Sequence, residues 1–349
     1  MSSRFRLGVI GAGGISHLHA KHAKKIEGVE IVAAADVSEK ALASFKAAFP
    51  EVKTYSDAGE MLKSGNLDAV SVCTPNGLHA RNTIDALEAG LHVIVEKPMA
   101  MNAVEAEQMN QAAKKAGKHL VVGFQFRFDP KTQLIRKQIA DGAFGKILYV
   151  RCQALRRRGI PNWGVFGRKD LQGGGPMIDI GVHCLEMAHY AIGSPMPLTA
   201  TGNCWTYHGN KASDTVIPWP NWDWKTYTVE DLAVGMIRCE GGTMISIEAS
   251  FVAHIEKDVW TFQVMGEKGG ATWDPTMVFM DLGGHMMNMT PGYIPPGGWE
   301  QIWEKKMSHF VDVCRGKREN MSTGRDGWMV QKMLDGVYAS ASEGKEVVL

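Results

Sequence analysis

Residues 5–16, FRLGVIGAGGIS, constrain the fold of this chain more than any other stretch. Leu7, Val9 and Ile10 make a short apolar run, long enough for a buried strand. Gly11 and Gly13 follow at the spacing of a dinucleotide-binding turn, with Gly14 and Ile15 in the same turn and Ser16 in place of the third small residue. Gly11 lets the chain turn tightly, Gly13 lets the backbone approach a pyrophosphate, and Ser16 lets strand and helix pack closely. A helical pattern then runs from Gly14 to about Ile26. The free N–H groups and positive dipole end of such a helix suit phosphate groups.

A second strand, Glu30 to Asp36, ends in a carboxylate 25 residues after Gly11, near the position of the acid that binds ribose hydroxyls. Asp36 there would accept hydrogen bonds from the 2′- and 3′-hydroxyls and repel a 2′-phosphate. Val37 follows, and no nearby arginine offers a phosphate partner, so NAD is expected rather than NADP. Ser38 and Glu39 leave a second reading open, in which Asp36 caps a helix. Helices at 39–48 and 57–63 and strands at 52–55, 67–73, 91–96 and 118–123 continue the alternation, with a helix from about His79 to Ala89. Alternating strands and helices give a parallel, doubly wound sheet, whose ligands sit at the carboxyl ends of the strands. Asp36, Thr74, Pro75, Asn76 and Glu96 to Pro98 all fall there and converge with Gly11 to Ser16 on one crevice. Lys97 follows a fully apolar strand; beside a nicotinamide its ammonium could polarise a substrate hydroxyl. Pairing with Glu96 in a solvated loop is the structural alternative.

At 349 residues the chain is too long for one ordinary domain and fits two. Thirty-eight basic against 37 acidic residues give no support for nucleic-acid binding. No segment has the apolar run of a membrane helix, and the amino terminus enters a strand with no room for a secretory leader. Six scattered cysteines without a Cys-x-x-Cys pair suit reduced thiols in a cytoplasmic enzyme.

Beyond Phe124 the alternation stops. A helix at 129–141 and a long strand at 147–155 precede a glycine loop, Gly173 to Gly175, that opens a helix carrying Asp179 and His183. Four residues apart, these two share one helical face. His183 could serve as a general base near neutral pH, with Asp179 orienting it or the substrate. A metal pair lacking an evident third ligand and a self-satisfied buried pair are the alternatives. Strands at 229–239, 243–251 and 259–265 alternate at period two, with Ile245, Ile247, Ala249 and Phe251 on one face, as in an antiparallel sheet with one buried face. Helices at 303–314 and 325–342 close the chain. Two insert-like stretches follow: 156–163 is basic and aromatic, and 217–224 has three tryptophans. Flat aromatic faces beside polar groups suit a sugar ring. The first is assigned to the substrate pocket, and the second to a packed loop or an interface.

Taken in order, the glycine turn, Asp36, Cys73-Thr-Pro-Asn76 with His79, Glu96-Lys97-Pro98, residues 123–128 (GFQFRF), Asp179-Ile-Gly-Val-His183 and the terminal ASASEGK at 339–345 resemble the Gfo/Idh/MocA family of NAD(P)-dependent sugar and polyol oxidoreductases. Within that family, the chain is similar to levoglucosan dehydrogenase-like glycoside 3-dehydrogenases. The resemblance implies an α/β chain: a Rossmann domain, drawn at residues 1–123, then an α+β domain with a large open, mainly antiparallel sheet at 124–349. It implies Lys97, Asp179 and His183 as the catalytic trio and often a cis Lys97–Pro98 bond. It places Gly11, Gly13, Gly14, Ile15, Asp36, Val37, Thr74, Pro75, Asn76, His79, Glu96, Lys97 and Gln125 around NAD. Arg127, Arg157 and Trp163 join the trio around a sugar or glycoside. It also implies a homodimer or homotetramer built through the second sheet. The expected reaction is hydride transfer from a secondary hydroxyl, with C3 of a hexopyranoside favoured. Glycoside cleavage through transient oxidation and a non-catalytic NAD or sugar sensor are the rival functions.

Overall fold

A computed structural model describes residues 4–349. The elements run β1 (Phe5–Ile10), α1 (Gly14–Ala23), β2 (Val29–Ala35), α2 (Glu39–Ala48), β3 (Lys53–Tyr55), α3 (Ala58–Lys63), β4 (Ala69–Val72), α4 (His79–Glu88), β5 (His92–Val95), α5 (Ala103–Ala116) and β6 (Leu120–Val122). They continue with α6 (Pro130–Ala140), β7 (Ile147–Leu155), α7 (Lys169–Gln172), α8 (Val182–Ala191), β8 (Pro197–Trp205), β9 (Leu232–Cys239), β10 (Met244–Ser250) and β11 (Val259–Gly266). The last are β12 (Gly269–Thr272), β13 (Met277–Leu282), β14 (His285–Met289), α9 (Trp299–Cys314), α10 (Gly324–Glu343) and β15 (Val347–Val348).

Among the described residues the strands form two sheets. The first is parallel, in the order β3-β2-β1-β4-β5-β6, with β1 between β2 and β4. Its strands read as unbroken apolar runs because helices cover both faces: Val70, Val72, Val93, Ile94 and Val95 are all fully buried. The exposed edge of β6 is covered by the segment before α10, where Ser322 Oγ donates to the Val122 carbonyl at 2.7 Å and Thr323 bridges Val121.

The compact units do not follow a single cut at residue 123. Residues 1–125 group with 298–328, and 126–297 group with 329–349. The helix α9, expected in the second domain, belongs to the first. Its apolar stripe explains why: Met307, Phe310, Val311 and Val313 join Leu7, Val9, Ala20, Ile31 and Phe45 in one core cluster.

The second unit holds a mixed sheet, β14-β13-β12-β11-β7-β10-β9-β8-β15. Most pairs are antiparallel, as expected of a mainly antiparallel sheet, and β7 and β10 run parallel. Between them the chain passes through α7 and α8 and then runs β8 and β9 antiparallel to each other, so that β10, antiparallel to β9, enters in the direction of β7. Ile245, Ile247, Ala249 and Phe251 are buried together, as the period of two indicated. Strands β8 and β12 to β15 lay outside the sequence reading; they are short, or rich in Met, Gly and Asn, and lack a clean alternation.

Replacing Phe310, fully buried in the first unit, should leave a cavity. Phe310→Ala is expected to destabilise that unit by about 3–5 kcal/mol, read from the urea midpoint of the transition that also loses NADH binding.

Candidate functional site

In the first unit, Gly11 closes β1 with φ +90°, and a Cβ there would lie 2.7 Å from the Cys73 carbonyl. Only glycine fits that turn. Gly13 and Gly14 face open space, with no atom within 4 Å of a Cβ at either. Gly13 is the N-cap of α1 and supplies no side-chain cap, so the first N–H groups of a ten-residue helix end at this opening. Asp36 Oδ2 accepts from the Ala12 N–H at 2.7 Å and Oδ1 from the Ser38 N–H at 2.8 Å. Asp36 thus ties the glycine turn to the end of β2, while Ser38 caps α2. Each of its oxygens keeps a second lone pair for a ribose hydroxyl.

Asp36, Val37, Gly11, Gly13, Thr74 and Pro75 line a cleft of about 440 Å³. Bare backbone, an uncapped helix end and a carboxylate with spare acceptor capacity fit a dinucleotide. Val37 and Ile15 are exposed. Asn76 and Gln125 are buried. His79 is a brace: Nδ1 lies 2.8 Å from the Pro98 carbonyl and Nε2 2.9 Å from the Thr74 carbonyl, joining the loops after β4 and β5. Arg81 of α4 also lines the cleft, a residue that sequence proximity to Asp36 did not reveal.

Lys97 is half-buried after β5, and its bond to Pro98 is cis. Glu96, also expected beside the cofactor, is buried, and its carboxylate meets Lys306 Nζ at 2.6 Å and His19 Nε2 at 2.9 Å.

In the second unit the glycine loop is held by Glu230. Its carboxylate accepts from the Gly175 N–H at 2.9 Å, the Met177 N–H at 3.2 Å and the Tyr338 hydroxyl at 2.8 Å. A side chain at Gly175 would overlap the Glu230 carbonyl, and one at Gly174 the Tyr338 hydroxyl. Burial pushes Glu230 above the usual carboxylate range, against the pull of those donors. The loop runs into a π-helical turn, Met177–Gly181, which carries Asp179 and leads into α8 with His183. His183 is 8% exposed, edge-on to Phe126 at 5.3 Å between ring centres and 6.0 Å from Trp260.

Arg157 is exposed; its N–H donates to Asp258 at 2.7 Å and its guanidinium to the Glu256 carbonyl at 2.9 Å. Arg156, not Arg157, is the neighbour of Asp179. Burial lowers the proton affinity of its guanidinium, with Asp179 first among the charges opposing that and Asp258 second. The period of β7 explains the difference: Cys152 and Ala154 point inward, and the next residue of that parity is 156. Arg156 lies over Trp219, at 5.1 Å from the ring centre, and Trp219 meets Trp163 edge-on at 4.9 Å. The two insert-like stretches therefore pack together. Trp222 is buried, donating to the Gly209 carbonyl, as the packed-loop reading requires. Arg127 is fully buried: its Nε donates to Glu186 at 2.9 Å, and its guanidinium lies over the Tyr190 ring. Among the described residues no group of three or more His, Cys, Asp or Glu side chains is placed to hold a metal ion.

The oxidoreductase family GFO/IDH/MocA, with its NAD-binding Rossmann fold, matches residues 5–124, and the GFO/IDH/MocA C-terminal domain matches 132–272. The chain is 34% identical over 350 residues to D-glucoside 3-dehydrogenase of Escherichia coli K12, covering 100% of this chain and 98% of that protein. It belongs to the Gfo/Idh/MocA family. Levoglucosan dehydrogenase of Pseudarthrobacter phenanthrenivorans is 30% identical over 227 residues, covering 63% of this chain and 58% of that protein. A solved structure of levoglucosan dehydrogenase with NADH shares the fold, at a TM-score of 0.85 and 23% identity over 99% of both chains. No helix among the described residues is long and apolar enough to cross a membrane.

In this Gfo/Idh/MocA oxidoreductase the cluster around Glu96 has a consequence for stability. Burial, helped by the charge of Lys306, lowers the pKa of His19 from about 6.5 to about 4. The unfolded chain therefore takes up a proton that the folded chain refuses between those values. Burial alone would raise Glu96, but Lys306 and His19 together hold it well below the usual carboxylate range, so its contribution is lost at still lower pH. The melting temperature should fall as pH drops from 6.5 to 4.5, and His19→Asn should flatten that slope.

Proposed function

We propose that this oxidoreductase carries a hydride from a secondary hydroxyl of a sugar or glycoside to NAD, with C3 of a hexopyranoside as the favoured position. The full-length likeness to D-glucoside 3-dehydrogenase carries this reading, together with the presence of Lys97, Asp179 and His183. The uncapped start of α1, Gly13 and Gly14 hold the pyrophosphate, and Asp36 binds the adenosine ribose and disfavours a 2′-phosphate. When bound, NAD supplies the hydride acceptor. His183 takes the hydroxyl proton, Asp179 orients His183 and the sugar, and the Lys97 ammonium stabilises the developing alkoxide. Arg156 and Trp219 supply a cation and a flat apolar face in the neighbourhood of Asp179, suited to a sugar rim and its C–H face. The six cysteines are free thiols, which suits a reducing cytoplasm.

The outer face of the second sheet supports a homo-oligomer. Trp205, Met236 and Met265 are exposed there at 43%, 39% and 46%. Light scattering should give a multiple of 38.2 kDa, and Met236→Lys with Met265→Lys should shift it toward the single-chain mass.

Methyl glucosides, levoglucosan and myo-inositol, offered with NAD and with NADP and followed at the NADH absorbance, test the reaction. Turnover of a glucoside with NAD well above NADP is expected. Lys97→Ala should lower kcat by about 10²–10⁴-fold while NADH fluorescence titrations stay unchanged. Near-normal turnover by that variant would remove Lys97 from the mechanism.

A further inference from the structure

The glycine loop before α8 has no capping side chain of its own. Gly173, Gly174 and Gly175 supply none, and Pro176, at the start of the π-helical turn, makes no side-chain cap. Side chains at Gly174 and Gly175 are excluded by the Tyr338 hydroxyl and the Glu230 carbonyl. The cap comes instead from a carboxylate 55 positions along the chain: Glu230 Oε2 accepts from the Gly175 N–H at 2.9 Å. Its Oε1 accepts from the Met177 N–H at 3.2 Å and from the Tyr338 hydroxyl at 2.8 Å. The main chain of Glu230 is pinned as well. Its carbonyl accepts from the Tyr227 hydroxyl at 3.0 Å. The next carboxylate, Asp231, accepts from the N–H groups of Tyr207 and His208 at 2.6 Å and of Gly209 at 2.9 Å.

From this fixed point the path to the proposed catalytic pair is short. The Gly175 carbonyl accepts from the Asp179 N–H at 2.9 Å. Gly181 seats the other end of the turn on β10, where a Cβ would come 2.9 Å from the Ala249 Cβ. Asp179 stands midway between Met177 and Gly181, and His183 lies one turn beyond it, in α8. A turn closed by an i→i+5 bond, here from the Val182 N–H to the Met177 carbonyl, is wider than an α-helical one, so residues four apart come closer to alignment. The register of Asp179 with His183 therefore depends on that turn keeping its shape.

For stability alone the arrangement is a poor device. Glu230 is buried, and the donors that meet its carboxylate are neutral. Burying a carboxylate is costly, and a serine or asparagine at a helix start caps it without that cost.

We propose that Glu230 is a positioning residue for Asp179 and His183: it caps the π-helical turn from outside and so holds the two side chains in register for proton removal from the sugar. Tyr338 steadies the carboxylate that does this. The proposal rests on the assignment of Asp179 and His183 to the reaction above.

Full-length Glu230→Ala and Glu230→Gln, each alone and combined with His183→Ala, test it. Alanine removes both acceptors. Glutamine keeps one oxygen and turns an NH2 group toward the other N–H, so one of the two bonds is lost whichever way the amide faces. The readouts are kcat with a methyl glucoside and NAD, NADH affinity by fluorescence, and amide hydrogen exchange in peptides spanning 173–183. NADH affinity should stay within about twofold of wild type, while kcat falls by about 10²-fold in Glu230→Ala and about tenfold in Glu230→Gln. Exchange should quicken in the same order. In the His183→Ala background, Glu230→Ala should lower kcat by less than about tenfold more, because the side chain it positions is gone.

Wild-type kcat alongside faster exchange would make the cap merely structural. Unchanged exchange in Glu230→Ala would mean that the turn holds without it. The full loss of kcat repeated in the His183→Ala background would mean that Glu230 acts elsewhere. Each of these overturns the proposal. If Glu230→Ala does not fold, Glu230→Gln decides: kcat within about twofold of wild type overturns it. Near-normal turnover by His183→Ala alone would sink the catalytic reading instead, while the exchange rates would still report whether Glu230 holds the turn.

Discussion

The fold of the first unit turns on a missing side chain. β1 lies between β2 and β4, at the point where the strand order reverses, and its exit passes within van der Waals distance of the backbone leaving β4. Gly11 permits that approach. With the two exits so close, the start of α1 opens onto the same cleft as the Asp36 carboxylate and the Thr74–Pro75 loop. Asp36 then ties the turn back to β2 through the Ala12 N–H. The cleft is thus a property of backbone spacing first and of side-chain chemistry second, which is where open α/β sheets bind ligands.

The second unit solves a comparable problem with a carboxylate. A glycine loop entering a helix leaves backbone N–H groups without helical partners. Here two of them meet Glu230, which stands at the approach to β9, and Tyr338 of α10 completes the arrangement. The side chains proposed for chemistry therefore sit on segments fixed by residues far away in sequence. Glu230 and Tyr338 hold the glycine loop that leads to Asp179, and Lys306 meets Glu96, the residue before Lys97.

Much of this was legible in the amino-acid order. The Gly11–Gly13 turn, Asp36, and the apolar runs of β4 and β5 follow local rules of turn chemistry and periodicity, and they fell where those rules put them. What local rules cannot show is which distant segment fills a buried partner's role. Glu96 read as a cleft residue because it ends a strand; only Lys306, 210 positions away, reveals that its carboxylate is held in the interior. The Glu186 partner of Arg127 is a second pairing that no local rule names. Arg156 and Arg157 are a different case. The alternation of Cys152 and Ala154 already marked 156 as the inward parity, a signal present in the sequence but obscured by three arginines in a row. The membership of α9 was hidden because helix periodicity names a buried face without naming what buries it.

That membership has a bearing on biosynthesis. The chain leaves the first unit near residue 125 and re-enters it at 298, so the nucleotide-binding half cannot be finished in the order in which it is translated. While the intervening 172 residues emerge from the ribosome, the apolar patch awaiting Phe310 stays uncovered and the Glu96 carboxylate awaits its counter-ion. A nascent intermediate of that kind is a natural client for chaperones, and a chain released early would keep the glycine turn yet lack the helix that seals the core behind it.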